Sequence, residues 1–316
     1  LAQSNPGWGL DRLDEITPVL DNTYNLTSND GTGRTIYMLD SGLALNNSAV
    51  AAEFSGRALA YELFENGNTI VNGEDCFGHG TQVASAIASN TYGVAKSANI
   101  VSVKITDGCG IESRISRSIT AFNQLAEWVP AGTIVNWSNG IWNEDGSCYP
   151  GIINIALENA ISACHNAGII VVVAAFNDTC NTADFSPTRI LQAFVVGGTS
   201  MDRIAGYGQD EIFYIPGQGG SRTGSNISGF APGESILTMK KDGTATYANG
   251  TSMSTAYVSG LFAIACQAAG TFCDSAITAA SLYQAMRDTG QVGTVTGVGG
   301  TVLPNGTPSR FLSNQW

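Results

Sequence analysis

The run Ile169-Ile170-Val171-Val172-Val173-Ala174-Ala175-Phe176-Asn177 is apolar at every position but the last. A strand with one wet face alternates in polarity, whereas a strand buried on both faces does not. The run therefore reads as an inner strand of a parallel sheet. Similar short apolar runs are Thr35–Leu39, Ile100–Ile105, Thr133–Trp137 and Ala193–Val196. Helical stripes lie between them. Ile115, Ile119, Phe122 and Val129 form one, and Ile153, Leu157, Ile161 and Cys164 another, with Gly168 placed to stop it. Strand–helix alternation predicts one α/β domain over residues 1–316, with helices on both faces of a mostly parallel sheet. The segment Gly206–Gly229, rich in Gly and Ser, reads as a long surface loop. The last forty residues read as surface wrapping.

Ligands of such sheets bind outside the carboxyl ends of the strands. Asp40 ends the first apolar run, and Asn177 ends the run quoted above. A buried carboxylate needs a partner, and an amide at a strand end is placed to donate to an oxyanion. Further on, Gly250-Thr251-Ser252-Met253-Ser254 leads into an apolar helical run through Val258, Leu261, Phe262 and Ala265. Ser252 then falls in a first helical turn, where free N–H groups and the helix dipole favour negative charge. A serine is inert without a base. His79, in Gly78-His79-Gly80-Thr81, stands before another helical run. The second histidine, His165, sits late on a helix, where the negative end would attract it.

Asp, His and Ser occur in the order found in subtilisin, with an amide donor between His and Ser. The chain resembles the subtilisin-like serine proteases, and within them the proteinase K-like branch. The matching pieces are Leu39-Asp40-Ser41-Gly42, Gly78-His79-Gly80-Thr81, Tyr92-Gly93-Val94-Ala95-Lys96, Asn177, Phe230-Ala231-Pro232-Gly233 and Gly250-Thr251-Ser252-Met253. Trp8-Gly9-Leu10-Asp11-Arg12 and Ser309-Arg310 extend the match to both ends. The resemblance implies a three-layer subtilisin-like fold and a serine endopeptidase acting on proteins or peptides. Asp40, His79 and Ser252 would be its triad and Asn177 its oxyanion donor. A substrate strand would lie beside Ser138, Asn139 and Gly140, and Ala174, Ala175 and Phe176 would form a pocket wall. Phe176 replaces the usual glycine there and would narrow the pocket, unless its ring turns into the core. Gln82 and Ala256 stand where the family usually has His and Pro.

The resemblance also suggests a structural calcium held by Asp11, Asp14, Glu15, Asp21 and Thr23, a hard-oxygen set. No organic cofactor is expected. A pro-segment acting as folding aid and inhibitor is implied, and a monomeric enzyme. Seven cysteines, none in C-x-x-C spacing, fit disulfides rather than zinc. Cys76–Cys109 resembles a pair found in relatives. Cys266 and Cys273 flank a helix end. Cys148 and Cys180 both follow strands, and Cys164 is left as the free thiol.

The chain opens at Leu1 without a Met or an apolar leader, as a processed, secreted, extracellular form would. Its net charge of −12 argues against nucleic acid and anionic membranes as partners. No apolar run approaches a membrane span. An esterase on an α/β-hydrolase fold would carry G-x-S-x-G and run Ser, Asp, His, which this chain does not. An inactive peptide-binding module of the same fold is the other alternative. The cleft substitutions allow it and the complete Asp40, His79, Ser252 set argues against it.

Overall fold

The computed structural model describes every residue except 1, 27, 65, 71, 111–113, 201–209, 271–272 and 274–278. Each apolar run of the sequence becomes an inner strand: Thr35–Asp40, Asn99–Lys104, Ile134–Trp137, Ile170–Ala174 and Phe194–Ser200. With Ala58–Leu63 and Ile227–Pro232 they pair in parallel, in the spatial order 227, 194, 170, 134, 35, 99, 58 by first residue. The Asp40 strand lies inside the sheet, and the chain builds outward from it first on one side and then on the other. Such a reversal opens a crevice at the carboxyl ends of the strands, and Asp40 stands at its edge.

Helices cover both faces. Asn136 and Trp137 are successive strand residues and so point to opposite sides. The Asn136 amide oxygen accepts from Ser259 Oγ on the helix Thr251–Ala269 at 2.9 Å. The Trp137 ring meets Phe122 edge-on, on the helix Ile115–Trp128. That helix packs on Ile155–Asn166, while the Ser252 helix packs on His79–Ala88. The Ser252 helix is buried from Thr251 to Cys266. A helix apolar all round belongs in the middle of a protein, and this one crosses beneath several strands.

The segment read as a surface loop departs from expectation. Gly206–Gln209 fall outside the described residues. From Asp210 onward the chain is largely buried: Asp210–Ile212 pairs antiparallel with Phe194–Ser200, and Ile227–Pro232 is a strand of the sheet. Gly217 turns a short hairpin, but other glycines here serve close packing. A Cβ on Gly219 would lie 2.2 Å from the Asn177 carbonyl oxygen, and φ is +100° at that position. The last forty residues also enter the structure. They contain the helix Ala279–Asp288, with buried Tyr283 and Met286, and the strand Arg310–Phe311, which lies between Ile227–Pro232 and the edge strand Gln291–Val292.

Disulfides join Cys76–Cys109, Cys148–Cys180 and Cys266–Cys273. Cys164 is free and buried, its thiol pushed up to about 12 by burial. His165 stands in the last turn of Ile155–Asn166, as the sequence implied. Burial lowers its pKa, and its ring packs against Tyr283 at 5.2 Å.

Candidate active site

Two helices begin at the crevice, and both begin on glycine. Gly78 precedes His79 and Gly250 precedes Thr251, with φ of +114° and +133°. Neither glycine has a capping side chain; instead Ser41 Oγ and Asp75 accept from the first-turn N–H groups of Gly80 and Thr81, and Asn177 Oδ1 accepts from that of Thr251. His79 opens its helix and Ser252 is second in its own. Asp40, His79, Ser138, Asn139, Gly140, Trp142, Phe176, Asn177 and Ser252 line one cleft of about 280 Å³.

His79 Nδ1 meets Asp40 Oδ1 at 2.7 Å, and the same oxygen accepts from Ser41 N at 2.7 Å. Asp40 is buried, whereas the His79 side chain is a quarter exposed. Desolvation alone would lower the His79 pKa. The Asp40 charge and hydrogen bond, with the charge of Asp75, outweigh it and hold the pKa above its ordinary value. The Ser252 hydroxyl donates to the Ser138 carbonyl at 3.2 Å, and Ser138 Oγ donates to the Ser252 carbonyl at 3.0 Å. Behind them Asn136 Nδ2 donates to Ser138 Oγ, continuing the chain of bonds from Ser259.

The Asn177 amide is oriented by its partners. Thr251 N and Thr251 Oγ1 donate to its Oδ1 at 2.9 and 3.1 Å. Its Nδ2 donors are thereby turned the other way. Thr251 Oγ1 also accepts from Phe176 N at 3.0 Å. The amide donor is thus tied to the helix that carries Ser252.

The remaining sites expected from sequence divide. Asn139 Nδ2 donates to the Leu39 carbonyl at 3.1 Å. Ser138–Gly140 follow the strand Ile134–Trp137 without a strand assignment of their own. Ala174 and Ala175 are buried within the sheet and do not line the cleft; Ala175 N donates to Val196 O. Phe176 does line it, with its ring over Gly140.

Of the proposed calcium ligands, Asp11, Glu15 and Asp21 bring carboxylate oxygens within 4.8 Å of one another. Asp14 turns away and accepts from Asn25 N and Nδ2. Thr23 N donates to Asp21 Oδ1. Burial first, and then the charge of Asp21, raises the pKa of Asp11 and Glu15. Crowded carboxylates of this kind fit a hard divalent cation.

Three residues to which the sequence reading gave no role, Asp75, Ser41 and Thr251, organise the site. Asp75 is buried and accepts from Ser41 Oγ, Gly78 N, Thr81 N and Thr81 Oγ1. Ser41 Oγ in turn accepts from Gly80 N at 2.8 Å. Together they clamp the His79 turn to the Asp40 strand, as Thr251 clamps Asn177. A lone Asp or Ser in a loop carries no signal of such a role.

A model of the subtilase family of peptidases matches residues 31–303. Alkaline serine exoprotease A of Vibrio alginolyticus is 33% identical over 264 residues, covering 83% of this chain and 43% of that protein. An extracellular serine proteinase of a Thermus species is 34% identical over 288 residues, covering 90% of this chain and 62% of that protein. The chain therefore spans about half the length of these curated relatives. Proteinase T of Parengyodontium album is 30% identical over 265 residues, 82% of this chain and 80% of that protein. The crystal structure of a cold-adapted subtilisin-like serine proteinase superposes with a TM-score of 0.80 at 28% identity, over 99% of this chain and all of that one. With the sheet, the paired helices and the matched segment in agreement, the chain belongs to the subtilase family.

Proposed function

We propose that this chain is the single catalytic domain of a secreted serine endopeptidase. The observation that carries the reading is the buried Asp40–His79 contact at 2.7 Å, in the same cleft as a serine in a helical first turn. Ser252 attacks the scissile carbonyl once its proton turns from Ser138 toward His79. His79 takes that proton as general base and returns it to the leaving amine. Asp40 holds the ring in one tautomer and stabilises the imidazolium. Asn177 Nδ2 and the Ser252 N–H stabilise the oxyanion. In subtilisin, loss of one such side-chain donor costs about 10²–10³ in kcat, and Asn177→Ala is expected to do the same here. Substrate backbone adds alongside Ser138–Gly140, in the manner of a β-strand laid on an open edge.

The three disulfides support that compartment, since disulfides persist where thiols are oxidised. No described helix is long and apolar enough to cross a membrane. The reading further takes the enzyme as a monomer, with a pro-segment that aids folding and closes the site. Asp11, Glu15 and Asp21 would hold a structural calcium that takes no part in the chemistry.

The test is Ser252→Ala. It should abolish peptide hydrolysis and labelling by a fluorophosphonate, while leaving the melting temperature close to wild type. Activity within tenfold of wild type would remove Ser252 from the mechanism. A wild-type protein that binds peptides yet takes no label would be a binding module instead.

A further inference from the structure

One wall of the cleft is aromatic, and the catalytic steps above make no use of it. Phe176 immediately precedes Asn177, with φ at +85°. A bulky side chain in that left-handed region is strained and persists only where its surroundings over-determine it. The ring stacks on Trp142, centroids 5.1 Å apart and planes 18° apart. It also lies flat on Gly140, where an added Cβ would stand 2.2 Å from Cδ2. The Arg222 guanidinium sits 4.9 Å from the ring centroid.

Arg222 is fixed in turn. It is fully buried and gives Nε and Nη2 to the two Asp178 oxygens at 2.7 and 2.6 Å. Nη2 also donates to the Ile141 carbonyl at 2.8 Å, and the guanidinium lies 3.9 Å from the Phe185 ring centroid. The Cys148–Cys180 disulfide joins the same two chain segments further along. Residues 140–148 and 176–180 are therefore bound together by a disulfide and a ring stack, and by Arg222, which bridges Asp178 and the Ile141 carbonyl.

A scissile carbonyl placed at Ser252 Oγ, with its oxygen toward Asn177 Nδ2, puts its own residue's side chain between Ser138–Gly140 and Phe176–Asn177. The Phe176 and Trp142 rings stand there. We propose that these rings set specificity by admitting only small side chains, such as Gly, Ala or Ser, on the residue that supplies the scissile carbonyl. Arg222, held by Asp178, is the positioning residue that keeps the wall closed. The proposal rests on the peptidase reading. A locked ring cannot be overlapped without the cost of overpacking. Apolar pockets discriminate by graded amounts, about 10–200-fold for small differences in size.

The experiment compares kcat/KM on two peptide substrates that differ only in Ala or Phe at that residue. Wild type, Phe176→Gly, Phe176→Asn and Arg222→Met are each titrated with a fluorophosphonate to count active sites. Gly and Asn both tolerate the left-handed backbone, and any loss of folding cancels within each variant's own ratio. Wild type should prefer Ala by about 10–200-fold. The Phe176 variants should collapse or invert that ratio, whatever their activity per labelled site. Arg222→Met should relax the ratio through KM for the Phe substrate with kcat on Ala retained; an equal fall on both substrates would make Arg222 merely structural and remove its part of the proposal. A wild type that cleaves the Phe substrate as well as the Ala one, or Phe176 variants with an unchanged ratio, overturns the wall. Absence of both cleavage and label overturns the peptidase reading beneath it instead.

Discussion

At the scale of single residues, the site is tuned by carboxylates at two distances. Asp40 touches His79, whereas Asp75 acts on it through its charge and through the Ser41 hydroxyl and Gly78 N–H it holds. Both raise the His79 pKa. The base must be neutral to take the serine proton, so a raised pKa moves the acidic limb of kcat/KM upward, above pH ~6.5. Asp75→Asn removes the more distant charge and should shift that limb to lower pH. A purely structural role would lower the plateau and leave the midpoint in place, so the pH profile decides between the two. A flat profile across pH 6–8 in wild type would count against His79 as the base.

At the scale of elements, the Ser252 helix is positioned by polar bonds inside an apolar layer. Ser259, Asn136 and Ser138 form a buried chain that ends on the Ser252 carbonyl. Ser259→Ala would strip the Asn136 oxygen of this donor and is expected to cost about 1–3 kcal/mol, read by denaturant unfolding. An unchanged midpoint would mean that the Asn136 oxygen finds another donor. Thr251→Val keeps the side-chain shape but removes the hydroxyl that bridges Phe176 N and Asn177 Oδ1. Its kcat should fall because the oxyanion donor loses its register, alongside a loss of about 1–3 kcal/mol from the Phe176 N–H left without its acceptor. Equal kcat in the two proteins would show that Thr251 N alone suffices to aim the amide.

At the scale of the whole molecule, the N-terminal segment is joined to the far edge of the sheet. Arg12 makes a buried bidentate pair with Asp210, and its guanidinium stacks on Phe311. Breaking a buried pair from one side typically costs about 3–5 kcal/mol, so Arg12→Met should destabilise by that order. Replacing both partners should cost less, which a double-mutant cycle would measure. The neighbouring Asp11, Glu15, Asp21 cluster gives a second global test. Its raised pKa values mean that folding disfavours the charged carboxylates. Their contribution is favourable at low pH and is lost as pH rises through the raised values. A bound cation would reverse that balance. Glu15→Gln should therefore raise the melting temperature in EDTA at pH 7 and reduce the gain on adding calcium. Identical wild-type melting curves in EDTA and calcium would end the proposal of a site there.

Unbroken apolar runs such as Ile169–Ala175 determined the inner strands, because only a strand covered on both faces dispenses with polar residues. Spacing around Ser252 and His79 likewise placed both at helix starts, since caps and apolar stripes are local signals. The segment 210–232 was not legible in this way. Its glycines look like loop chemistry, and only close approaches such as those of Gly219 to the Asn177 carbonyl and Gly229 to Leu312 mark some of them as packing. The direction of the Phe176 ring was equally hidden, because Trp142, Gly140 and Arg222 lie far from it in sequence. The sequence by itself determined the fold class and the candidate Asp, His, Ser and Asn, whose signals are carried by neighbouring residues. The tertiary structure alone decided what buries Asp75, where Asn177 points and what closes the cleft, since each depends on contacts that local sequence does not encode.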